Sequence, residues 1–176
     1  DPTIKFALGE NVKQSNWGPS FNVRFPQTRM GVEQVYMDAF SRAKAYKEEW
    51  EKYDNLSRKE KEKATQPRRD LRLEALAEIL DSKRFITCHS YVQSEINMLM
   101  HVADHYGFRV NTFTHILEGY KVADKMKEHG VAASSFSDWW GYKYEVKDAI
   151  PYNMVLMHNE GVLTAVNSDD AEMARR

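Results

Sequence analysis

Residues 85–115 read FITCHSYVQSEINMLMHVADHYGFRVNTFTH, and this stretch decides the fold. Phe85-Ile86-Thr87-Cys88-His89 is a β-rich run closing on a histidine, and Arg109 to His115 is a second one. Between them Ser94 to Tyr106 is helical and stops at Gly107, a C-cap position where glycine takes the left-handed conformation without steric cost. The same unit continues downstream. Tyr120 to His129 is a helix stopped by Gly130, Val131 to Ser135 a short strand, and Pro151 to Glu160 a helix stopped by Gly161. Val162 to Asp169 is a last strand ending in a carboxylate. Strand-helix-strand repeated in this way is the βαβ rhythm of a parallel sheet. In such sheets functional atoms gather at the carboxyl ends of the strands. His89, His115 and Asp169 each stand at such an end, and together they form a candidate site.

Upstream, Thr3 to Leu8 is an apolar run ending at Gly9 and reads as a strand. Glu10 to Gln27 holds Trp17, Gly18, Pro19 and Pro26 and reads as a long functional loop. Gly31 to Asp54 is one helix. Val32, Ala39, Tyr46 and Tyr53 interleave with Tyr36, Ala43 and Trp50 in one continuous stripe. Ser57 and Glu60 are spaced as a capping box. Leu71 to Leu80 is a second amphipathic helix with Asp70 as its N-cap. Residues 31–82 far exceed one crossover helix. They are expected to form a solvated helical hairpin standing off the domain, the aromatic stripe packed against its second arm or another subunit.

Composition narrows the classes. The 176 residues suffice for one domain. Lys+Arg 25 against Asp+Glu 26 gives net charge −1, which recommends no nucleic-acid partner. No apolar run approaches the roughly 20 residues of a membrane span, and the N-terminal residues lack the apolar core of a signal peptide. The single cysteine, Cys88, forms no internal disulfide and fits a reducing compartment, which favours the cytoplasm. In a strand Cys88 points away from the face that carries His89.

Imidazole and carboxylate are the donors that leave Zn²⁺ or Fe²⁺ an open position for water. The other histidines read differently. His101 and His105 lie one turn apart, without the glutamate of a zincin motif, on the polar edge of an outer helix. His129 suits a helix C-terminus electrostatically.

The residues His89-Ser90-Tyr91-Val92 with Glu95-Ile96, His115 with Glu118-Gly119-Tyr120-Lys121, and Asn167-Ser168-Asp169 resemble the amidohydrolase superfamily, in particular its imidazolonepropionase-related and prolidase-like branch. In that family these runs close the fifth, sixth and eighth strands of a (β/α)₈ barrel. The resemblance implies a partial TIM-type barrel of about strands four to eight, with residues 31–82 as a helical insertion. It implies that His89, His115 and Asp169 are metal ligands, zinc before iron. Asp169 would also be the general base that takes a proton from the attacking water. Lys5 would be the fourth-strand ligand, with Glu10 in competition, and Tyr91, Glu118 and Tyr120 would meet substrate.

Three departures accompany the resemblance. Tyr91 and Val92 replace the second histidine and the arginine of the fifth-strand motif. The chain has no His-x-His, the pair that the family's first strand gives to the metal. It begins without an initiator methionine and ends before the family's closing elements. The expectation is therefore the later portion of a larger metal-dependent hydrolase. It would cleave a C–N bond in a cyclic amide, dipeptide or related small molecule. It would be completed by the rest of the barrel or a second chain, and would form a homo-oligomer. The alternatives are a deaminase-type member of the same superfamily and a non-catalytic binding or scaffold protein.

Overall fold

The computed structural model describes residues 2–13, 25–136 and 143–168. Five strands form one parallel sheet: β1 (Thr3–Ala7), β2 (Phe85–His89), β3 (Thr112–Thr114), β4 (Ala132–Ser135) and β5 (Thr164–Val166). The connections carry α1 (Glu10–Lys13), α2 (Arg29–Asp54), α3 (Arg58–Lys61), α4 (Leu71–Leu80), α5 (Gln93–Tyr106), α6 (Ala123–His129) and α7 (Asn153–Glu160). Short 3-10 turns stand at Gly119–Lys121 and Tyr144–Val146. The strand order follows the chain, β1-β2-β3-β4-β5. With crossovers of one hand, an order that never reverses puts every connection on the same face. The chain is thus an α/β protein with a five-stranded parallel sheet, consistent with a partial TIM-like fold.

The registers divide the strand residues between two faces. Phe6, Cys88 and Phe113 are neighbours across three strands, with Ala133 beside Phe113 on β4. Cys88, Phe113 and Ala133 are buried among Val32, Phe40, Leu99, Met126 and Met157 from the helices. The opposite face carries Lys5, Thr87, Thr112 and Ala132 in one row and Ala7, His89 and Thr114 in the next. That face is more open: Lys5 is exposed, Phe85 is 46% exposed, and Leu163, just ahead of β5, is 77% exposed.

Local chemistry sets the helix limits. Thr28 accepts from Gly31 N at 3.0 Å and starts α2 at Arg29, two residues before the expected Gly31. Asp70 accepts from Arg72 N and Leu73 N at 2.9 and 3.3 Å, and Ser57 with Glu60 makes the capping box. Gly107, Gly130 and Gly161 close α5, α6 and α7 with φ of 76°, 78° and 99°.

The helical insertion is only partly a separate hairpin. The first half of α2 is the crossover helix of the sheet. Val32 and Phe40 are buried in the main core, Phe40 stacks on Phe108 at 4.3 Å, and Tyr36 lies 5.3 Å from Phe6 and donates to Ala7 O at 3.1 Å. Only the second half pairs with α4, where Tyr46 donates to Glu74 Oε1 at 3.3 Å and Trp50 is part-buried. The stripe is continuous along the helix, but its partner changes from sheet to α4 halfway. Two further boundaries differ. Glu10–Lys13 is helical where a loop was expected, and residues 14–24 lie outside the described residues. The expected helix 120–129 begins with a 3-10 turn and becomes α-helical only at Ala123. Asp169 and residues 137–142 also lie outside the described residues.

Candidate functional site

His89 ends β2 and pairs in register with Ala7 and Thr114. His115 is one residue further along the neighbouring strand, so plain β alternation would send it into the helical layer, away from His89. The backbone prevents this. His115 has φ 61°, in the left-handed region that a non-glycine residue enters at a cost of about 1–3 kcal/mol. The turn brings its ring beside that of His89, with centroids 5.0 Å apart and planes at 61°. Backbone strain is thus spent at the position where two imidazoles meet.

Neighbouring groups hold both rings. Phe136, directly after β4, stacks on His115 at 5.0 Å and 17°. Tyr91 meets His89 edge-on at 4.7 Å and 72°. Tyr91, Leu117, Phe136 and Val146 form a small apolar cluster apart from the main core. Asn167, directly after β5, contacts His115 Nδ1 through Oδ1 at 3.2 Å, and its Nδ2 donates to Ser134 Oγ. Beside the histidines, the Thr114 and Ser90 hydroxyl oxygens are buried with no hydrogen-bond partner among the described residues, which is costly unless another group supplies one.

Near Tyr91 lies a network of charges built on the buried carboxylates of Glu145 and Glu95. Lys143 Nζ sits 4.5 Å over the Tyr91 ring and pairs with Glu145 at 3.3 Å and Glu10 at 3.6 Å. Lys13 and Arg29 pair with Glu95 at 2.8 and 3.1 Å. Burial pushes the Glu145 carboxyl above its ordinary range, and Lys143 opposes that shift. Gly9 is what lets Glu145 approach β1: its φ is +80°, and a Cβ there would stand 2.7 Å from Glu145 Oε1.

The other candidates are placed as follows. Lys5 is on the face of His89 but two residues earlier, about 7 Å along the strand. Glu10 opens α1, with its carboxylate engaged by Lys143. Glu118 is buried, accepts from Gln93 N at 3.1 Å at the start of α5, and pairs with Lys121 at 3.4 Å. Tyr120 donates to Asp148 O at 3.0 Å. Tyr91 alone of the three expected substrate contacts touches a candidate histidine. Among the described residues, no group of three His, Cys, Asp or Glu side chains is arranged to hold a metal ion.

Asn167, Phe136 and the Lys143 network were not readable as site residues. Asn167 sits in the polar run before Asp169, but only the sheet register brings it to His115. The buried charges are far apart in sequence and each reads alone as a surface residue.

Among the described residues no helix is long and apolar enough to cross a membrane. No protein-family model and no curated protein matches the chain. Among solved structures the chain is similar to an amidohydrolase from Thermotoga maritima, with TM-score 0.80 and 25% sequence identity. The match covers 97% of this chain and 42% of that one, so the chain spans well under half the neighbour's length. The likeness supports the amidohydrolase family for this chain, without distinguishing a branch within it.

Proposed function

We propose that the chain is part of a metal-dependent hydrolase acting on a C–N bond of a cyclic amide, dipeptide or related small molecule. The observation that carries the reading is the meeting of His89 and His115 at the carboxyl end of a parallel sheet, achieved through a strained backbone at His115. The amidohydrolase named as structural neighbour supports a hydrolase activity.

Two imidazoles beside a buried Thr114 hydroxyl that has no hydrogen-bond partner among the described residues suit zinc, with iron second. His89 and His115 would hold the ion, with Asp169 and Lys5 proposed as further ligands. Such an ion supplies Lewis acidity and lowers the pKa of water towards about 7. The protein's own residues do the rest. Asp169 takes the proton from the attacking water, and Phe136 and Tyr91 hold the two rings and exclude solvent from one side. Glu118 and Tyr120, which tie the loop after β3 to Gln93 and Asp148, are proposed to meet substrate.

The open face with Lys5, Phe85 and Leu163 supports a further part of the reading. The rest of a barrel, in the same polypeptide or another chain, covers that face and adds the missing ligands. A homo-oligomer is proposed with it.

The test is metal content of the purified protein before and after Zn²⁺ loading, with His89→Ala and His115→Ala beside it, followed by a panel of cyclic amides and dipeptides. Zinc retained by the parent protein, weakened in both variants and coupled to amide hydrolysis supports the reading. Amidine hydrolysis with release of ammonia selects the deaminase-type alternative. No metal and no hydrolysis defeats both and leaves a binding or scaffold protein.

A further inference from the structure

His115 carries two ring nitrogens, and only the one with a lone pair can accept a cation. Which one that is depends on the hydrogen bond made by the other. In water the neutral ring modestly favours the proton on Nε2. Here Nδ1 faces Asn167 Oδ1 at 3.2 Å.

An amide oxygen only accepts, so this contact is a hydrogen bond only when Nδ1 carries the proton. The amide stands with Oδ1 towards the ring and Nδ2 towards Ser134 Oγ, to which it donates. The Asn167 backbone is anchored as well, its N–H donating to Ser135 O at 2.9 Å. Phe136, stacked on the imidazole, sets the ring plane. The ends of β3, β4 and β5 thus meet in one chain of contacts, Ser134 to Asn167 to His115.

We propose that Asn167 is a positioning residue that, through Oδ1, holds His115 as the Nδ1–H tautomer, which puts the lone pair of the neutral ring on Nε2. The consequence for a metal rests on the hydrolase reading above, whereas the tautomer does not. Opposite amide polarity, with Ser134 donating to Oδ1 and Nδ2 donating to His115, would give the other tautomer, so the two arrangements are separable by one measurement.

That measurement is long-range ¹H–¹⁵N correlation of the histidine rings in the intact chain, at a pH where imidazoles are neutral, with His115 assigned by loss of its signals in His115→Gln. The expected result is Nδ1–H in the parent and in Asn167→Asp, which keeps the acceptor. Asn167→Leu should move the ring towards Nε2–H. His89 signals serve as the control for folding. In parallel, calorimetric Zn²⁺ titration should weaken about 10–100-fold in Asn167→Leu and recover in Asn167→Asp. An Nε2–H ring in the parent, or a ring unchanged in Asn167→Leu, overturns the proposal. The expected tautomers in a chain that binds no Zn²⁺ uphold the positioning role and remove the metal reading instead.

Discussion

Replacing Gly119 by alanine tests how the loop carrying His115 is locked to α7. A Cβ built on Gly119 would overlap Met157 Sδ and come within 2.7 Å of Ile116 Cδ1, both side chains being fully buried. The loop is held from the same side by Asn153, which accepts from Tyr120 N at 3.0 Å and donates to Ile116 O at 2.7 Å. Little space exists for Met157 to yield. Overpacking of this kind costs about 1–3 kcal/mol, offset by about 0.4–1 kcal/mol from the stiffer unfolded chain. A net loss of about 1–2 kcal/mol lowers Tm by about 2–8 °C in a chain of this size. Met157→Ala alone should cost about 2–5 kcal/mol through the cavity it leaves. In the double variant the new methyl enters that cavity, so the two costs should fall short of additive by about 1 kcal/mol or more. Urea denaturation of the parent, both single variants and the pair measures the cycle. Additivity within about 0.5 kcal/mol would show that the glycine is not required by Met157, and the close-packing argument would be wrong.

Phe40→Ala removes a fully buried ring stacked on Phe108 and should cost about 3–5 kcal/mol by urea denaturation; a loss under about 1 kcal/mol would return α2 to the role of a detached hairpin. Cys88 is fully buried, and burial pushes its thiol well above the ordinary range, so a disulfide reagent should modify it only as fast as the chain unfolds. Prompt native-state labelling would contradict that placement. Glu145→Gln should alter the dependence of stability on pH. Burial raises the Glu145 pKa in the folded state, so its contribution is full below the unfolded carboxyl value near about 4.3 and is lost as pH rises through the raised value. Urea midpoints from pH 4 to 8 should therefore show the variant gaining on the parent with rising pH; a constant difference would refute the sign.

Much of the architecture was legible because its causes are local. The run from Phe85 to His89 is a strand with those bounds, and Leu71–Leu80 is a helix begun by Asp70. Gly107, Gly130 and Gly161 mark helix ends because a left-handed residue is a requirement of the backbone at that position alone. The two histidines were also found at neighbouring strand ends, since the βα rhythm places them there.

Tertiary structure alone decided whether they meet. The spacing of His89 and His115 says nothing of register, and the register sets Thr114, not His115, opposite His89. Only a left-handed turn, held by packing from α7 and by Phe136 and Asn167, puts both rings on one face. The fate of the 31–82 segment was undecided for a similar reason. A stripe of Val32, Tyr36, Ala43, Tyr46 and Trp50 shows that a helix has one apolar side, but which surface meets that side is a property of distant residues. Phe6 and Phe108 claim its first half and α4 claims the rest. The charges of Glu10, Lys13, Glu95, Lys143 and Glu145 follow the same rule. Each reads singly as a solvated residue, because burial of a charge is tolerated only beside a partner, and the partners come from up to 135 positions away in the chain.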